Sequence, residues 1–162
     1  SCHSGGTGSR SEEEEQPDFL PDAFESGTMN VPGLAGLRAA GDWILARGVP
    51  SIQAQEAALT ARLLDGLREV RGITVYGTGQ AASQTATVSL NIDGMDPAEV
   101  GRRLDEEKGI LCRAGLHCAP AAHRTIGTFP RGTVRLSLSA MSDSEDVDAA
   151  VAAIHSLAQE AR

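Results

Sequence analysis

The sequence predicts an α+β body in which helices pack on a mostly antiparallel sheet. Three observations carry this. Apolar residues recur at helical spacing in four stretches, they alternate with polar residues in others, and Gly or Pro marks each change of period. The resulting order is helix, helix, strand, strand, helix, strand, strand, helix, a succession that suits helices layered on one sheet.

Each element has its own signal. Asn30 is a good N-cap, Pro32 suits a first turn, and Leu34, Leu37, Trp43 and Ile44 fall near helical spacing up to Gly48. Pro50 opens a second helix whose stripe of Ile52, Leu59, Leu63, Leu64 and Leu67 is stopped by Gly72. The period then becomes two: Ile73 and Val75 mark one strand, and Val88, Leu90 and Ile92 against Thr87, Ser89 and Asn91 mark another. Asp96, Pro97 and Glu99 form a D-x-x-E start for a helix with Val100 and Leu104 on its apolar side and Gly109 at its end. Residues 110–113 and 133–139 read as two further strands. Ser142 and Glu145 make a capping box ahead of Val147, Val151, Ile154 and Leu157, which carry the last helix. Residues 1–28, rich in Gly, Ser and Glu, show no apolar period and read as an extended lead-in, so a small domain with a linking helix is placed at 29–162.

Bulk composition narrows the function classes. A chain of 162 residues can bury a real core, and its 41% apolar but only 3% aromatic content points to closely packed, thin-sided helices. A net charge of -8 argues against a phosphate-backbone binder, so nucleic acid is not an expected partner. Three cysteines, Cys2, Cys112 and Cys118, are too sparse for a disulfide-stapled secreted domain and fit a reducing, cytoplasmic setting. The start lacks the pattern of a signal peptide, and no apolar run nears the ~20 residues needed to cross a bilayer, so no membrane partner is expected. The first methionine is Met29, which suggests a natural start upstream.

The chemistry concentrates between residues 113 and 133, where no period is legible and a loop of that length is either disordered or functional. It reads Arg113-Ala114-Gly115-Leu116-His117-Cys118-Ala119-Pro120, with His123 after it and Arg135 on the strand that follows. A cysteine beside a histidine and two arginines is placed for thiolate chemistry, because positive charge favours the ionised nucleophile. The plainer reading is that Cys118 is a small packed residue. A zinc site built from Cys112, His117, Cys118 and His123 competes, but there is no Cys-x-x-Cys pair and adjacent residues rarely share one ion, so no metal is expected. Gly5 to Ser9 lacks the lysine and strand-to-helix context of a phosphate loop and reads as a linker; His123 and His155 read as structural, and Glu12 to Glu15 as a solvated face.

Arg113-Ala-Gly-Leu-His-Cys-Ala-Pro resembles the active-site cysteine loop of the class V aminotransferase-fold enzymes, the cysteine desulfurase and selenocysteine lyase group. Phe24-Glu25-Ser26-Gly27-Thr28-Met29-Asn30 resembles that family's F-E-x-G-T-x-N motif, Val31 to Gly41 the helix start after it, and Gly132-Thr133-Val134-Arg135-Leu136-Ser137 its substrate-arginine strand. The Gly5 to Ser9 and Gln16 to Asp22 segments are similar to a less characterised desulfurase-like branch. Departures occur at Leu136 to Met141 and at Ser142-Asp143, where the family has an Asn-Thr pair; they bear on substrate choice more than on fold.

The resemblance implies the small C-terminal domain of the pyridoxal-phosphate (PLP) dependent, fold type I architecture. It implies that Cys118 takes sulfur from L-cysteine as a persulfide and releases alanine, and that Arg135 holds the substrate carboxylate. Arg113 and His117 would flank that pocket. Thr28, beside Gly27, would reach across a homodimer interface to the phosphate of the other subunit's cofactor. A sulfur-acceptor protein is an implied partner. The family's large domain, with its Schiff-base lysine, is not in these residues; the only lysine is Lys108, which matches no cofactor motif, so the chain alone is expected to be inactive. Other class V chemistry (selenocysteine lyase, epimerase, β-eliminase) and a non-catalytic binding module are the alternative readings, as are a plain helix cap for Thr28 and a solvated strand position for Arg135.

Overall fold

A computed structural model of the chain describes residues 5–6, 8–10 and 12–162. Cys2 and Thr7 lie outside the described residues. The chain divides into two units, Ser1–Gly48 and Val49–Arg162.

The first unit holds two short 3₁₀ turns, Gly8–Arg10 and Asp22–Phe24, and helix α1 (Val31–Arg47). The segment ahead of α1, expected to be extended, folds back on itself. The Gln16 amide donates to the carbonyl oxygens of Asp22 (2.6 Å) and Glu25 (3.1 Å), and the Gly27 N–H donates to the Gly6 carbonyl at 2.9 Å. With few apolar side chains to bury, this stretch takes its shape from hydrogen bonds to its own backbone. Asn30 caps α1 as predicted, its Oδ1 accepting the Gly33 N–H at 3.0 Å, and Gly48 at φ 82° follows the last turn. No side chain of α1 is buried; Leu34, Leu37, Trp43 and Ile44, which made the helix legible, all lie exposed. The unit boundary falls after α1, the linking helix.

The second unit is a four-stranded antiparallel sheet covered on one face by helices. The elements are α2 (Val49–Arg68), β1 (Ile73–Tyr76), β2 (Thr87–Ile92), α3 (Pro97–Lys108), β3 (Arg113–Gly115), α4 (Pro120–Thr125), β4 (Thr133–Ser137) and α5 (Ser144–Glu160), and the strand order is β1-β2-β4-β3. Leu59, Leu63 and Leu67 of α2 stack one turn apart and meet Val88, Leu90 and Ile92 of β2, Val100 and Leu104 of α3, Val134 and Leu136 of β4, and Val147, Ile154 and Leu157 of α5. Each such side chain removed from water is worth about 1.5–3 kcal/mol, so this cluster dominates the stability of the unit. At Gly66, α2 runs so close to α5 that a Cβ would stand 2.7 Å from Val151 Cγ2.

Three local expectations need correction. The strand predicted at 110–113 begins only at Arg113, because Ile110 is occupied in closing α3: after Gly109 turns left-handed (φ 67°), the Ile110 N–H bonds the Leu104 carbonyl at 2.8 Å. The cap of α5 is Asp143 rather than Ser142. Its carboxylate accepts the Glu145 and Asp146 N–H groups at 2.8 and 3.0 Å while Asp146 returns the bond to Asp143 N at 3.1 Å, a charged acceptor displacing a neutral hydroxyl one residue earlier. Finally, the stretch without period contains α4, a short helix opened by Pro120.

Candidate active site

The sheet has two faces of opposite character. In β2 and β4 the core takes Val88, Leu90, Ile92, Val134 and Leu136, so Ser89, Asn91, Thr133 and Arg135 point to the other face by the alternation of the strand. Register places Arg135 directly between Ser89 on β2 and Arg113 on β3. Two like charges facing each other cost a ladder about 0.2–1 kcal/mol, and among the described residues neither guanidinium has an acidic partner. Such a pair suits a bound carboxylate, which two rigid forks can hold.

Polar satisfaction points to the same place. Buried polar atoms normally find partners. Among the described residues, four buried side-chain atoms lack one, and three belong here: Asn91 Oδ1, His117 Nδ1 and Arg135 Nε. Asn91 is otherwise engaged, its Nδ2 donating to the Gly132 carbonyl at 3.1 Å. Sequence reasoning did not single it out, although an amide in an alternating strand was the available signal.

His117 joins this face through Thr133, with its Nε2 at 3.3 Å from Thr133 Oγ1. Burial pushes its pKa below the ordinary 6.5, and the charge of Arg135, then His123 and Arg113, presses the same way; Thr133 opposes more weakly. The imidazole is therefore neutral at neutral pH. Its contribution to stability is complete above 6.5 and is lost as pH falls through the lower folded-state value, since the unfolded chain takes the proton first. An NMR titration is expected to show His117 inflecting below 6.5; a midpoint at or above that value would contradict the burial argument.

Cys118 follows in a backbone conformation that side chains rarely adopt. His117 and Cys118 have φ of 50° and 59°, consecutive left-handed residues without glycine, and the Ala119 N–H closes the turn on the Leu116 carbonyl at 2.8 Å. The left-handed state costs about 1–2 kcal/mol per residue, and such outliers gather at functional sites. The thiol of Cys118 is free and its residue exposed, which removes the packed-residue reading. That reading belongs to Cys112 instead: half-buried beside Gly101 of α3, its thiol is pushed up by burial and by Asp105. Among the described residues no group of three or more His, Cys, Asp or Glu side chains is placed to hold a metal ion.

Gly27 and Thr28 lie in the first unit, just before α1. Lys108 is exposed at the C-terminal end of α3, where a cation suits the helix dipole. It does not fit as a cofactor-bearing lysine. The residues present supply a thiol and two arginines of a kind that can bind a carboxylate, and with Lys108 at a helix end they do not by themselves fit the pyridoxal group.

The family model for class-V aminotransferases matches residues 2–150. The chain belongs to the class-V aminotransferase family. Relatives named probable cysteine desulfurase include one from Methanothermobacter thermautotrophicus, 37% identical over 131 residues, and one from Pseudomonas putida, 38% identical over 127. These alignments cover 80% and 78% of this chain but 32% and 30% of the relatives. Among solved structures, the apo cysteine desulfurase of Thermococcus onnurineus NA1 superposes with a TM-score of 0.76 at 32% identity, covering 86% of this chain and 34% of that one. The Escherichia coli cysteine desulfurase CsdA, solved as its S-sulfonic acid, gives 0.71 at 28% over 86% and 33%. The chain thus spans about a third of the length of the class-V proteins it matches. Its fold is the α+β small domain of those PLP-dependent enzymes.

Proposed function

We propose that this chain is the C-terminal part of a PLP-dependent cysteine desulfurase and that Cys118 is its sulfur-accepting residue. The observation that carries the reading is the exposed Cys118 thiol on a left-handed turn, one residue from His117, whose ring is anchored on the sheet face bearing Arg113 and Arg135. In the overall step the C–S bond of L-cysteine breaks, an S–S bond forms at Cys118 Sγ, and the carbon that loses sulfur takes a proton, so cysteine and thiol become alanine and persulfide with no outside oxidant. Arg135 binds the substrate carboxylate, with Arg113 beside it. A neutral His117 leaves the resting pocket with two positive charges rather than three and is able to accept a proton near the thiol.

The cofactor would be held mainly by residues beyond those present, with Thr28 and Gly27 contributing to its phosphate from the other subunit of a homodimer. Isolated from such a body, the chain is inactive. A protein acceptor takes the persulfide sulfur, which an exposed thiol permits. The sparse cysteines of the sequence support a reducing, cytoplasmic setting. Among the described residues no helix is long and apolar enough to cross a membrane.

The test is to incubate the full-length protein with L-cysteine, block its thiols and map the peptides. Added sulfur is expected on the Cys118 peptide. Sulfur on Cys112 instead, or none on either while alanine accumulates, would overturn the assignment.

A further inference from the structure

The turn that presents Cys118 carries unfavourable backbone torsions and has to be held by something. Thr133 holds one edge of the His117 ring. On another side lies His123, its ring centroid 5.6 Å away at a tilt of 47°. His123 is only 4% exposed, although it belongs to the short surface helix α4, and its Nδ1 is 2.7 Å from Thr128 Oγ1. Its carbonyl accepts both the Thr128 and Phe129 N–H groups, at 2.8 and 3.1 Å. A buried imidazole fixed at ring and backbone by the same short segment is a rigid post.

We infer that His123, fixed by Thr128, is a positioning residue that braces His117 and so maintains the left-handed turn that presents Cys118. The chain Thr128–His123–His117 runs from the segment after α4 back to the thiol's neighbour, and Thr133 closes it on β4. Without the brace, His117 and Cys118 relax toward negative φ, because nothing in an ordinary side chain favours the left-handed well. The functional consequence rests on the desulfurase reading above, but the brace itself does not.

The test uses this chain and NMR couplings that report the sign of φ at residues 117 and 118, together with the His117 titration. His123→Asn keeps a group able to bond Thr128 but removes the ring. Its expected result is loss of the positive-φ couplings at 117 and 118 and a His117 midpoint shifted up toward 6.5, with core resonances of α2 and α5 unmoved. Should that variant fail to fold, Thr128→Val and Thr128→Ser decide: the valine form is expected to shift both readouts and the serine form to restore them. Couplings and midpoint unchanged from the parent, in a folded His123→Asn or in Thr128→Val, would overturn the proposal. A missing persulfide on Cys118 would refute the desulfurase reading and leave these couplings as they are, so the two failures are distinguishable.

Discussion

Cys118→Ala in the full-length protein is expected to lower alanine release from L-cysteine by on the order of 10³-fold or more, the scale seen when a covalent nucleophile is deleted. On the proposed function the reason is stoichiometric: with no thiol at position 118 the sulfur would have no first acceptor. Substrate binding should survive, because Arg135 and Arg113 sit on β4 and β3 and do not depend on the turn for their placement. The useful measurement is therefore alanine formation alongside substrate affinity. Loss of turnover with retained binding is the expected pattern; alanine formation at the parent rate would show that Cys118 carries no sulfur. Cys112→Ala is the matched control, since that thiol packs against α3 and its removal should leave turnover intact.

The second large effect concerns the backbone beneath the site. Gly132 has φ of 82°, and a Cβ placed on it would stand 2.1 Å from the Gly115 carbonyl oxygen, an atom of the neighbouring strand with no rotamer to move. Gly132→Ala is expected to destabilise the chain by about 3–5 kcal/mol, combining the cost of a left-handed side chain with forced separation of two backbones. Gly127 provides the comparison: its φ is 77°, but nothing lies within 4 Å of where its Cβ would stand, so Gly127→Ala should carry the conformational cost alone, about 1–2 kcal/mol. Urea unfolding of both variants checks this, and equal losses would show that β3 and β4 part without resistance. Since Gly115 opens the Cys118 segment, the same Gly132 variant should also disturb the turn.

Local pattern made most of the framework legible. Asn30 and Asp96 cap the helices they were expected to cap, and the alternation of β2 from Thr87 to Ile92 matches its burial residue by residue. These features depend on neighbours within four positions. The failures have a common cause. Ile110 looked like a strand residue until the exit of α3 claimed its amide, and α4 went unread because six residues are too few to show a period. The apolar stripe of α1 marks a helix, yet spacing does not say what covers it, and its leucines are exposed.

For the site, the sequence by itself determined the identities: a Cys-His pair in an unpatterned stretch, an arginine before it, and an arginine on the strand that follows. Those are properties of residue type and order. Only the tertiary structure decided that Arg113 and Arg135 stand directly opposite each other, that Asn91 and Thr133 share their face, and that Cys118 is exposed while Cys112 is packed. It alone placed His123 against His117 and set both His117 and Cys118 in the left-handed region. Register, burial and ring contact join residues up to dozens of positions apart, and they are fixed by how the strands pair and the helices pack, which no local window of sequence contains.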